Sequence, residues 1–96
     1  MLKIFITDAS AEFVALQLDG RISGRWVDLL QRTCEVSLHS GARVSVDLRN
    51  VSFSDRNGIA LLKNLKERRV ELLNPSPFIA GEIGHPDFAT GTGGKF

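Results

Sequence analysis

Most of the residue types that support catalysis are scarce in this 96-residue chain. It has one cysteine, Cys34, which excludes an internal disulfide and agrees with a reducing, cytoplasmic setting. Cys34 falls on the apolar stripe of a helix, so a packed thiol is expected there rather than a nucleophile. The two histidines, His39 and His85, belong to no cluster of His, Cys and carboxylates spaced to hold a metal. His39 lies off the face of Cys34, and no third group is placed to orient it. Gly58 alone is not a phosphate-cradling glycine-rich loop, and Gly91, Gly93 and Gly94 have neither a strand before them nor a helix after. The expectation is therefore a non-enzyme with no catalytic residue, metal or cofactor.

Long apolar runs are also missing, and none approaches the roughly 20 residues of a membrane helix. The start, Met1 to Thr7, alternates like a strand and lacks the apolar centre and small-residue cleavage site of a signal peptide. Neither charge dominates. Twelve basic and 11 acidic residues leave a net charge of +1, which argues against a dedicated nucleic-acid binder. The basic group Lys63, Lys66, Arg68 and Arg69 reads as the cationic last turn of a helix, solvated and favoured by the helix dipole.

What is present is a regular alternation of strand and helix patterns. Leu2, Ile4 and Ile6 alternate with Lys3, Phe5 and Thr7, predicting a strand, with a turn over Asp8 to Ala11. Val14, Leu16 and Leu18 predict a second strand, ended by Gly20 and paired with the first as a hairpin. A helix follows, with Ser23 as its N-cap. Trp26, Leu29, Leu30, Thr33, Cys34 and Leu38 form its buried stripe, and Gly41 stops it. A strand is predicted over Arg43 to Leu48, then a helix from about Asn57 to Arg69 with Leu61, Leu62 and Leu65 inward. Val70 to Leu73 reads as a last strand, and Phe78 to Ile83 as a short helix after the break at Pro75-Ser76-Pro77. The domain is predicted to span residues 1–83, with 84–96 a disordered tail.

The stretch from Ala42 to Leu65 carries the functional signal. A buried strand ends in Ser54-Asp55-Arg56-Asn57-Gly58 and enters a helix without a spacer. Such a junction gathers backbone N–H groups and the positive end of a helix dipole at one surface spot. Together with Leu18-Asp19-Gly20-Arg21-Ile22, Val46-Asp47-Leu48 and the element order, it resembles the STAS family. That is the domain of bacterial anti-sigma factor antagonists and sulphate-transporter tails. Phe53, Asp55, Gly58 and Ile59 match the family's loop signature, but Arg56 and Asn57 stand where it carries a hydroxyl pair.

The resemblance implies an α/β fold, a STAS-like mixed sheet with helices packed mainly on one face, shortened at the C-terminus. It implies docking on a protein partner: an anti-sigma factor, a signalling-complex component or the ATPase of a lipid-transport system. Ser23, Ser54, Asp55, Arg56, Asn57 and Gly58 are the expected contact residues. No serine switch is expected, because Arg56 occupies the acceptor position and cannot take a phosphoryl group. Asp55 is also expected to cap the second helix. A small-anion or nucleotide sensor is the alternative, with the helix start and Arg56 as its binding groups. The shortened end further implies apolar strand surface around Val70, Leu72 and Leu73, or an unpaired edge, through which the chain is expected to self-associate as a symmetric dimer or to bind a partner.

Overall fold

The computed structural model describes residues 1–84. Strand β1 (Leu2–Ala9) pairs antiparallel with β2 (Phe13–Ile22). In their turn the Ser10 N–H donates to the Phe13 carbonyl at 2.8 Å, and the Ser10 hydroxyl accepts from the Phe13 N–H at 3.1 Å. Helix α1 (Arg25–His39), strand β3 (Arg43–Ser54), helix α2 (Arg56–Glu67), strand β4 (Glu71–Leu73) and helix α3 (Pro77–Ile83) follow. The sheet order is β1-β2-β3-β4, with β2, β3 and β4 mutually parallel.

Two strand–helix–strand crossovers that step the same way across a sheet, both right-handed, put their helices on the same face. Accordingly α1 packs on α2, and α2 on α3. The alternate strand residues Leu16, Leu18, Val44, Val46 and Leu48 share one core with Leu30, Cys34, Leu62, Leu65, Ile79 and Ile83. This is the mixed sheet, with helices packed mainly on one face, that the resemblance implies.

Several details differ from the sequence-based expectations. Gly20 does not end β2; it lies within it at φ 118°. A side chain there would collide with the Met1 carbonyl oxygen, which accepts the Arg21 N–H at 3.0 Å. The glycine marks a close backbone approach inside a strand. Strand β3 continues past Leu48 to Ser54, because its pairing with β2 persists through two register shifts that break the alternation. The buried stripe of α1 is Val27, Leu30 and Cys34, while Leu29 is exposed and Trp26 half-buried. Toward the far end of β1 the core face runs out: Leu2 is buried, Ile4 half-buried and Ile6 exposed.

The expected apolar surface at β4 is also corrected, while β4 does stand at the edge of the sheet. Val70 and Leu72 are buried, and only Leu73 is exposed. Helix α3, capped by Ser76 through the Ile79 N–H at 3.3 Å, buries Ile79, Ala80 and Ile83. The Lys66 ammonium donates to the carbonyls of Ile83 and Gly84, holding the end of α3 to α2. Of the predicted tail, 84–96, Gly84 is the C-cap of α3 and the rest lies outside the described residues.

Candidate functional site at the paired helix starts

Parallel β2 and β3 end at the same pole of the sheet, so the helices that follow them begin side by side. Asp55 joins those beginnings. Its Oδ1 accepts the Gly58 N–H at 2.8 Å, capping α2 as expected. Its Oδ2 accepts the Gly24 N–H at 3.1 Å, at the start of α1. Its own N–H donates to the Ile22 carbonyl at 3.0 Å, at the end of β2. One short carboxylate thus ties two helix starts and a strand end together.

Ser23 is not the N-cap of α1. Gly24 occupies that position at φ 57° with no side-chain cap, and its N–H is satisfied by Asp55 instead. No local pattern signals this, since the acceptor lies 31 residues away in the chain. Ser54, expected at the surface, is buried with its hydroxyl donating to the Asp55 carbonyl at 3.2 Å. Gly58 is buried as well. A Cβ there would lie 2.8 Å from Ile22 Cγ2 and 3.0 Å from the Ile22 carbonyl oxygen, and would overlap the Ser54 hydroxyl. Of the six expected contact residues, Arg56 and Asn57 are exposed, Ser23 and Asp55 half-buried, and Ser54 and Gly58 internal. The inner ones shape the junction.

The fold adds residues that carry no local sequence signal. Arg21 lies over the Phe53 ring at 4.9 Å, and Arg25 over Trp26 at 5.2 Å. Both pairs flank the helix starts, the first because β2 and β3 set Arg21 opposite Phe53. Phe78, 60% exposed, lines a shallow groove of about 310 Å³ with Asp55, Arg56, Ile59 and Lys63. Arg and aromatic side chains are the types that anchor protein interfaces.

The N–H groups of Gly58, then Gly24, then Asn57 hold the Asp55 carboxyl below its ordinary range. A carboxylate whose folded-state pKa is lowered contributes stability in full above the unfolded value, about 4, and loses it as pH falls through the lowered folded value. Asp55→Asn is expected to lower the melting temperature by about 5 °C near neutral pH, because an amide nitrogen cannot accept the second N–H. The gap between the variant and the natural chain should narrow as melts are taken down through the acid range. A gap constant with pH would show that Asp55 stays ionised throughout or contributes by packing alone. Cys34 offers no chemistry at this pole: it is fully buried in the core, and burial pushes its thiol up to about 11.

No protein-family model matches this sequence, and no curated protein matches it. Solved structures do. The anti-sigma factor antagonist SpoIIAA in its unphosphorylated form superposes with a TM-score of 0.66 at 23% identity, over 82% of this chain and 79% of that one. An uncharacterized protein of the DUF3478 family with a SpoIIAA-like fold, from Shewanella loihica PV-4, gives 0.57 at 10% identity, over 93% and 79%. Likeness at such low identity speaks for the fold alone. In architecture, this chain has a SpoIIAA-like fold.

Proposed function

We propose that this domain is a non-catalytic, regulatory protein-interaction module of the anti-sigma factor antagonist type, working in the cytoplasm. It docks on a protein partner through the pole where α1 and α2 begin. The observation that carries the reading is the junction itself. Asp55 seals the helix starts from within, while Arg56, Asn57 and the Arg–aromatic pairs face solvent around it. Such a surface is pre-organised, so little ordering entropy is lost when a partner binds. An anion sensor is less well supported, because the carboxylate of Asp55 already occupies the N–H groups that would receive the anion.

Arg56→Ala tests the docking surface. The substitution should leave the melting temperature nearly unchanged, since an exposed side chain away from the core alters stability by about 0.5 kcal/mol at most. It should weaken capture of the partner by about thirtyfold, as expected for an interface arginine. The partner is an anti-sigma factor, a signalling component or a transport ATPase, and is to be isolated with the natural chain as bait. A collapse in melting temperature would make Arg56 structural and remove the surface assignment. A parallel thermal-shift screen with anions and nucleotides would favour the sensor reading if it gave saturable stabilisation.

The loop is also expected to resist serine phosphorylation. Arg56 lacks a hydroxyl, Ser54 is buried, and the Ser52 hydroxyl donates to the Gly20 carbonyl at 3.3 Å. Incubation with anti-sigma-type kinases and ATP should leave the intact mass unchanged. Stoichiometric phosphate on Ser52 or Ser54 would overturn this part of the proposal.

A further inference from the structure

We propose that the β1 edge is a self-association surface, on which a second copy of this chain adds its own β1 antiparallel about a twofold axis through Phe5. Strand β1 is one edge of the sheet, and its eight residues make it much longer than β4 at the other edge, which has three. An unpaired edge is a template for another strand unless it is short, covered or carries charges that the incoming strand leaves unpaired. This one carries Phe5 at 47% and Ile6 at 63% exposure.

The choice of a second copy rests on charge and register. Residues directly opposite in an antiparallel pair point to the same face. Lys3, Phe5 and Asp8 lie opposite Asp19, Gln17 and Ala15 of β2, so all three occupy the helix-free face. Asp8 is there because the register shifts between Ile6 and Asp8, leaving Thr7 as an extra residue. A twofold axis at Phe5 then sets Phe5 against its own copy and Ile4 against Ile6 on the helix-bearing face. Lys3 stands against Asp8 at both ends of the seam. Moving the axis to Ile4 or to Ile6 breaks both charge pairs. The seam is self-complementary in one register only, and a twofold dimer closes it without leaving a further β1 edge.

The experiment is sedimentation equilibrium of the natural chain and variants from micromolar to millimolar concentration, each checked by a melting curve. The natural chain should reach the dimer mass. Asp8→Lys and Ile6→Lys should each raise the dissociation constant at least about tenfold. Adding Lys3→Glu to Asp8→Lys should restore the dimer, because the charge pair is exchanged between copies. Lys3 also faces Asp19 in its own hairpin, so the melting curve of the double variant is compared with that of Asp8→Lys alone. If Ile6→Lys fails to fold, the charge exchange carries the test. A monomer throughout the range would overturn the proposal. So would a dimer indifferent to Asp8→Lys, or one broken by Leu73→Lys at the opposite edge.

Discussion

Leu62→Ala is expected to remove about 2–5 kcal/mol of stability, a large part of the roughly 5–15 kcal/mol typical of a whole domain. Leu62 is fully buried on α2 and belongs to the core cluster that joins both long helices to the sheet. Truncating it loses the transfer free energy of the missing carbons and leaves a cavity. Helix α2 is held at its start by Asp55 and, beyond its end, by Arg68 on Glu35, which limits collapse into that space. Each lost kcal/mol lowers the melting temperature of a domain this size by about 4–8 °C. Leu29→Ala is the control. It removes an exposed leucine next to buried Leu30 and should change stability by about 0.5 kcal/mol or less. Urea unfolding of both variants decides the matter, and a Leu62→Ala loss below about 1 kcal/mol would mean that α2 turns another face to the sheet.

Gly58→Val is expected to cost about 3 kcal/mol or more, with Gly58→Ala in between. Two effects oppose each other at this position. Alanine in a helix is favoured over glycine by about 1 kcal/mol, so a glycine in open space would be stabilised by the exchange. Here the new Cβ would press on Ile22 Cγ2 at 2.8 Å and on the Ile22 carbonyl oxygen at 3.0 Å. The carbonyl cannot yield without disturbing the Asp55 N–H that it accepts at 3.0 Å. Overpacking therefore wins, and valine adds two branch methyls without alanine's propensity gain. The cost should appear at the docking surface as well, because the displaced helix start carries Arg56 and Asn57. Melting curves of the two variants should fall in the order Gly, Ala, Val. An alanine variant more stable than the natural chain would show that α2 stands off β2 at no cost, and the tight junction would be abandoned.

Features that rest on near neighbours in the chain are legible in the amino-acid sequence. The two-residue period of β1, β2 and the first half of β3 marks strands, and the 3.6-residue period of α2 marks a helix with Leu61, Leu62 and Leu65 inward. Asp55 three residues ahead of Gly58 is a local capping pattern, and Cys34 on an apolar stripe is a local burial pattern. The second half of β3 is not legible, since its register shifts cancel the alternation by which strands are read. Nor is the face of α1. Stripes through Trp26 and Leu29 or through Val27 and Leu30 are both helical in period, and the position of the sheet chooses the second.

The sequence by itself determined the order of elements, the mixed α/β class and the position of the loop that opens α2, because backbone propensity and hydrophobic period act over a few residues. Only the tertiary structure decided that Asp55 serves two helices, that Ser54 and Gly58 are internal, and that Arg21 meets Phe53. Those facts depend on parallel pairing of β2 with β3, which brings residues about thirty positions apart into contact at one pole. The same pairing leaves β1 at the edge with Phe5 and Ile6 uncovered, while α3 packs on α2. Strand order is a long-range choice made by core packing across the whole chain, so no window of sequence contains it.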